Sequence, residues 1–224
     1  MSEDNPGICA QKLLTNEVDL ALVPVAILPG LPEYHVLTDY CIGADGVVDS
    51  VKLYHNVPLQ EIKRVLLDYQ SRTSVNLTKV LFRFWWKSDP VFEDAEPGFE
   101  EKVSGTTAVV VIGDRTFALN GRYRYETDLA QAWKDFTGLP FVFAAWVSCG
   151  QLPAEFISRF NSVLADGVSQ VDRAVTDSAG ELSLPEEQVR VYLREKIDYH
   201  LDQAKRGAMN LFLEYLRKSG TRDR

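Results

Sequence analysis

Short apolar runs alternate with amphipathic stretches through the first two thirds of the chain, and helical periodicity takes over in the last third. Ile8 to Leu14 reads as a short helix, and Asn16-Glu17 as a turn. Val18-Asp-Leu-Ala-Leu-Val23 is a compact apolar run ahead of Pro24, the form expected of a buried parallel strand. Prolines limit regular structure from Pro24 to Pro29. Tyr34 to Leu37 and Tyr40 to Ile42 are short extended pieces, and Gly43-Ala-Asp-Gly46 is a turn. Val47 to Tyr54 alternates as a strand, Pro58 to Glu61 opens a short helix, and Arg64 to Asp68 is again a strand. A helix follows Ser74, with Leu77, Val80, Leu81 and Phe84 at helical spacing, and runs to about Trp86. Lys87 to Ser104 carries many acidic residues with Pro90 and Pro97, and reads as an exposed segment outside the core.

Thr107 to Ile112 is a strongly apolar, β-branched strand ending at Gly113-Asp114. Leu129 to Phe136 is a short amphipathic helix around Trp133, stopped by Thr137-Gly-Leu-Pro140. Phe141 to Val147 is another buried strand. Pro153 starts a helix with Phe156, Ile157, Phe160 and Val163 on one face, and Gly167 to Ala179 holds the next. Glu186 to Lys218 reads as one long helical stretch divided at Gly207, because glycine costs about 1 kcal/mol inside a helix. Both ends, Met1 to Pro6 and Ser219 to Arg224, are polar and expected to be loose.

Alternating strands and helices followed by helices predict an α/β fold with mostly parallel sheets. The grouping suggests two lobes. Residues 1–54 and 147–224 form the first, and residues 55–146 the second, including the return crossing. Crossings at Val51 to Tyr54 and at Phe141 to Val147 would hinge a cleft that takes ligand and excludes water.

At 224 residues, 46% hydrophobic and 25% charged, the composition is that of a globular protein. A formal net charge of -8, with no basic block, argues against a nucleic-acid partner. It leaves room for a small anion, which responds to local donors. No basic start leads into an apolar run, so no signal peptide is read, and no apolar stretch is long enough to span a bilayer. Cys9, Cys41 and Cys149 are scattered, which suggests free thiols in a reducing cytoplasm. His35, His55 and His200 are equally scattered, so neither a metal cluster nor a Cys–His nucleophile is read.

The candidate chemistry lies where the strand ending at Asp68 turns through Tyr69, Gln70, Ser71, Arg72, Thr73 and Ser74 into a helix. Backbone N–H groups, the helix dipole, hydroxyls and a guanidinium together make an anion site. Ser and Thr are also ordinary helix caps, and residue type alone does not separate the two. Arg72 favours the anion site, since capping needs no arginine. It has a second reading, as partner of a structural carboxylate such as Asp68. Asp114 stands equally as a ligand group at a strand end or as a turn residue.

Asp19-Leu-Ala-Leu-Val-Pro-Val25, Tyr40-Cys-Ile-Gly43, Asp68 to Val75, Val111-Ile-Gly-Asp114 and Thr137-Gly-Leu-Pro-Phe-Val-Phe-Ala144 with Trp146 together resemble the chorismate dehydratases of the futalosine route to menaquinone. The resemblance covers nearly the whole chain, with the motifs in the family's order. It implies a two-lobed fold like that of periplasmic solute-binding proteins of type II. It also implies a cytoplasmic lyase that dehydrates chorismate to 3-[(1-carboxyvinyl)oxy]benzoate without metal or organic cofactor. Its implied substrate-binding residues are Ser71, Arg72, Thr73 and Ser74 as the carboxylate turn. Thr137, Gly138, Leu139 and Pro140 would be the crossing that lines the cleft, with Asp114 beside them. Pro24, between Val23 and Val25, would border the pocket from the first lobe. Thr73 and Ser74 are the strongest expectations for direct contact.

The family begins with a strand and a Ser-Tyr-x-Asn loop reaching into the cleft, ahead of the region seen here at Asn5-Pro6. About forty residues of that kind, at ordinary element lengths, are not in this sequence, so no catalytic residue is assigned. Two other readings are a sister enzyme making 1,4-dihydroxy-6-naphthoate with a histidine base, and a non-catalytic binder of small carboxylates. The absence of a histidine at a strand end in the second lobe favours the dehydratase over the sister enzyme.

Overall fold

The computed structural model describes Asp4, residues 6–182 and residues 184–220. Most of the expected loose start and the tail beyond Gly220 lie outside the described residues. In chain order the elements are α1 (Pro6–Leu14), β1 (Ala21–Pro24), β2 (His35–Ala44), β3 (Val51–His55), β4 (Arg64–Leu67), α2 (Arg72–Leu81), β5 (Val91–Asp94), β6 (Thr107–Ile112), β7 (Tyr125–Asp128) and α3 (Leu129–Thr137). They continue with β8 (Phe141–Ser148), α4 (Ala154–Ser169), α5 (Val171–Leu182), α6 (Glu186–Val191), β9 (Asp198–His200) and α7 (Gln203–Ser219). Single π-helical turns, Phe82–Trp86 and Tyr192–Lys196, extend α2 and α6.

The strands make two sheets, one of four strands in the order β1-β8-β2-β9 and one of five in the order β5-β4-β6-β3-β7. Parallel sheets were the expectation, and the pairing is mainly antiparallel. Every pair in the four-stranded sheet is antiparallel, as are β3 with β6 and β3 with β7. Only β4 pairs in parallel, with β5 and β6. Parallel pairs need a crossover, which α2 supplies after β4. The chain otherwise leaves one sheet and returns to it from the other, so outgoing β2 and returning β8 run in opposite directions.

Sheet membership also moves the expected crossings. Val51–His55 is wholly a strand of the five-stranded sheet, and Phe141–Ser148 wholly a strand of the four-stranded one. The chain passes between sheets over 45–50 and over 138–140. These passages sit side by side, because Ala44 pairs with Phe141 and Gly43 with Val142. Gly43 therefore lies inside β2 and not in a turn. A Cβ there would stand 2.8 Å from the Phe141 carbonyl oxygen and 3.4 Å from that of Asp198, so a side chain would force three strands apart.

Two further expectations are corrected. Within the acidic stretch, β5 pairs with β4, and Phe99 is fully buried with Tyr54, Leu66, Val109 and Val111. The acidic residues around Phe99 hid an apolar anchor that Ala95 and Val103 share. The long C-terminal stretch is not one helix divided at Gly207. It breaks at β9, which pairs with β2, and restarts where the Asp202 carboxylate accepts from the Lys205 amide at 2.8 Å. A side-chain cap of that kind satisfies an N–H left open at a helix start, and Gly207 lies within α7. At the join of the two sheets, Trp133 is buried against Phe141 and Phe212, and its indole N–H donates to the Pro140 carbonyl at 3.0 Å.

Candidate functional site

A cavity of about 870 Å³ opens where the two sheets meet. Its walls are mostly apolar: Leu22 and Pro24 of β1, Ile42 of β2, Val51 of β3, Ile112 of β6, and Phe143, Ala144 and Trp146 of β8. Phe156 and Phe160 of α4 close another side, with Phe160 set edge-on against Trp146 at 5.0 Å. Polar groups concentrate at three places. One is the turn Gln70, Ser71, Thr73 and Ser74, the second is Ser50 with Tyr192, and the third is α1 with its approach, where Lys12 pairs with Asp4 at 2.6 Å beside Cys9. Convergent polar groups in an apolar cleft are the usual form of a small-molecule site.

The first polar place is built from β4 and α2. Ser71 is the N-cap of α2, extended at φ -132° and ψ 112°, and its hydroxyl oxygen accepts the Ser74 amide at 3.1 Å. The two serine hydroxyls are 2.8 Å apart, with Ser71 donating to Ser74. The preceding turn is held by Asp68, whose side chain is fully buried. Its carboxylate accepts the Gln70 amide at 2.9 Å, the Ile112 amide at 2.9 Å and the Arg115 guanidinium at 2.5 Å. Arg115 also pairs with Glu100 at 2.6 Å and lies over the rings of Tyr69 and Phe99. The carboxylate partner proposed for Arg72 thus belongs to Arg115. Arg72 is the exposed first residue of α2 and is not in the cavity wall.

Thr73 is in the wall, but its hydroxyl is engaged. It donates to the Phe143 carbonyl at 2.9 Å and accepts the Ala26 amide at 3.4 Å. Phe143 lies where the β2–β8 register shifts, between the pairs Ile42–Ala144 and Gly43–Val142. A bulge leaves a strand group without its ladder partner, and here Thr73 meets that group from the other sheet. Thr73 accordingly fastens α2 to β8 across the cleft floor.

Thr137, Gly138, Leu139 and Pro140 are not in the wall. They end α3 and lead into β8, with Gly138 left-handed at φ 75° and the Thr137 hydroxyl donating to the Trp133 carbonyl at 2.8 Å. Their role here is to stop a helix at the passage between sheets. Asp114 opens the 3-10 turn after β6, and its neighbours Ile112 and Gly113 reach the wall where it does not. Pro24 does border the cavity. Ser50 and Tyr192 were not singled out from the sequence. Tyr192 fell inside the long helical stretch read from Glu186 to Lys218, and no local pattern marks the π-turn it opens.

A histidine does stand at a strand end in the five-stranded sheet. His55 closes β3, stacked on Tyr125 at 5.1 Å, with its ring nitrogens 2.7 Å from the Val57 carbonyl and 2.9 Å from the Thr127 hydroxyl. It is buried, does not line the cavity, and burial lowers its pKa. Among the described residues no cluster of His, Cys, Asp and Glu has the makings of a metal site, and no helix is long and apolar enough to cross a membrane.

Two α/β lobes around a cleft at their junction make the two-lobed fold that solute-binding proteins also have. Protein AF1704 from Archaeoglobus fulgidus superposes with a TM-score of 0.71 at 15% identity, covering 97% of this chain and 85% of that one. The alkanesulfonate-binding protein SsuA from Xanthomonas axonopodis pv. citri gives 0.59 at 11% identity, covering 98% and 82%. At the level of sequence, a family model described as menaquinone biosynthesis matches residues 1–218. The chain belongs to that menaquinone-biosynthesis family. The chorismate dehydratase of Thermus thermophilus is 29% identical over 231 aligned residues, which span 94% of this chain and 84% of that protein.

Proposed function

We propose that this protein is a hydro-lyase that removes water from chorismate to give 3-[(1-carboxyvinyl)oxy]benzoate, on the futalosine route to menaquinone. The observation that carries the reading is the Ser71–Ser74 turn at the start of α2, set in an apolar cleft of a menaquinone-family fold. Chorismate carries two carboxylates on a small ring. The Ser74 hydroxyl, polarised by the bond it accepts from Ser71, and the positive end of the α2 dipole suit one of them. The apolar walls from β1, β2 and β8 suit the ring and keep water out, which strengthens those hydrogen bonds.

The reaction asks little beyond positioning and proton movement. Loss of a ring hydrogen and a neighbouring hydroxyl makes the ring aromatic, so a substrate carboxylate held close to the C–H takes the proton. Thr73 contributes by holding the turn to β8, and Pro24 by shaping the opposite wall. We place the protein in the cytoplasm, supported by its free thiols Cys9, Cys41 and Cys149. We take residues 6–44 with 141–182 and 184–220 as one lobe and residues 51–137 as the other, a division supported by sheet membership.

The test is chorismate turnover by the purified full-length protein, followed by chromatography and mass. Loss of chorismate with appearance of the aromatic enol ether is the expected result. Ser74→Ala should raise KM by roughly 10–100-fold, the worth of a hydrogen bond to a charged group. Binding of chorismate without turnover overturns the lyase reading in favour of a carboxylate binder, and turnover only of a larger cyclic precursor assigns the protein to the sister enzyme.

A further inference from the structure

We propose that Tyr192, held in place by Ser50, is a catalytic residue that donates the proton to the departing hydroxyl group. The assignment rests on the dehydration reading above. Both residues lie in the cavity wall and form its second polar place, contributed by elements other than those of the Ser71–Ser74 turn. The Tyr192 hydroxyl donates to Ser50 Oγ at 2.9 Å.

The backbone is shaped for this contact. Tyr192 opens a π-helical turn, closed by the Ile197 amide bonding the Tyr192 carbonyl at 3.1 Å. Such turns are rare and are frequent at functional sites. Phe117 braces the ring edge-on at 5.3 Å. Ser50 is itself fixed, because its carbonyl accepts the Gly113 amide at 2.8 Å. It sits on the passage between the sheets, so the pair ties the C-terminal helices to the hinge. The other side of Tyr192 faces a smaller cavity of about 280 Å³, walled in part by Asp49, Asn120, Glu187 and Lys196.

Hydroxide is a poor leaving group, and the substrate carboxylate that takes the ring proton does nothing for the departing oxygen. The ring C–O bond breaks with its electron pair on oxygen, and that oxygen takes the Tyr192 proton and leaves as water. The neighbouring C–H bond breaks, its electron pair forms the new ring double bond, and its proton passes to a substrate carboxylate. That proton, exchanged through water, restores the phenol. The sum is the loss of one water, with nothing oxidised or reduced. Burial raises the Tyr192 pKa, so the residue carries its proton at neutral pH.

The experiment measures kcat for chorismate and Kd for the enol-ether product in the full-length protein and in Tyr192→Phe. The expected result is a fall in kcat of roughly 10²–10⁴-fold with Kd changed less than about threefold, the range for loss of a general acid. A second measurement replaces Tyr192 by 3-fluorotyrosine, which keeps the shape and makes the phenol more acidic. A proton donor shifts kcat and its solvent deuterium isotope effect, whereas a merely structural hydroxyl leaves both unchanged. This second measurement decides the matter if Tyr192→Phe fails to fold. Retained kcat in Tyr192→Phe, or indifference to fluorination, overturns the assignment while leaving the dehydratase reading intact. An unmodified protein that does not consume chorismate overturns that reading first, and this assignment with it.

Discussion

Replacing Thr73 by valine removes one hydroxyl at nearly constant shape and tests how the two sheets are fastened. Thr73 is 2% exposed, so water does not replace what is lost. Its hydroxyl is the partner of the Phe143 carbonyl, which the register shift of β8 leaves outside the β2 ladder. An unsatisfied buried acceptor costs about 1–3 kcal/mol. The Ala26 amide, 3.4 Å from the same oxygen, adds little, since a bond of that length is weak. The expected destabilisation is therefore about 2 kcal/mol, or roughly 4–8 °C in Tm for a chain of this size. Urea unfolding followed by tryptophan fluorescence reads the change, and Thr73→Ser, which keeps the hydroxyl, should lose much less. A Thr73→Val protein within about 0.5 kcal/mol of the unmodified one refutes the fastening role, because that is the scatter of neutral surface changes.

Other consequences follow from the same geometry. Gly43→Ala should destabilise by about 1–3 kcal/mol, as overpacking against the Phe141 carbonyl requires; an unchanged urea midpoint would show that the strands yield freely. Asp68→Asn removes a buried carboxylate from the partly exposed Arg115, which keeps Glu100, and should cost about 1–3 kcal/mol. It should also raise KM, since an amide nitrogen in place of Oδ2 faces the Ile112 amide and the Arg115 guanidinium and loosens the turn beside Ser71, and unaltered KM in a folded variant would separate the turn from binding. Burial holds the His55 pKa below its ordinary value, so in the window just under that value the unfolded chain binds more protons than the folded one. Stability should thus rise with pH through that window and fall away on acidification. Urea midpoints between roughly pH 5 and 7 should lose part of this slope in His55→Asn, and an identical slope would exclude His55 as its source.

Much of the molecule is local and was legible along the chain. The apolar runs at Ala21–Pro24, Thr107–Ile112 and Phe141–Ser148 are strands because β-branched and aromatic residues suit a pleated, buried surface. Leu77, Val80 and Leu81 are buried on α2 because their spacing puts them on one helical face. The cap was legible only as a residue type: the sequence places the helix after Ser74, and it starts at Arg72 with Ser71 as its N-cap. What the tertiary structure alone decided involves partners far apart in sequence. Asp68 takes Arg115, 47 residues away, and not the nearby Arg72. Thr73 spends its hydroxyl on Phe143, 70 residues on, and Tyr192 meets Ser50 across 142. Strand direction belongs to this second class, as does the burial of Phe99 inside an acidic stretch. Periodicity records which face of an element is buried. It does not record which element covers that face, because burial of apolar surface is non-directional, and only the packed chain fixes the hydrogen-bond partners that build the site.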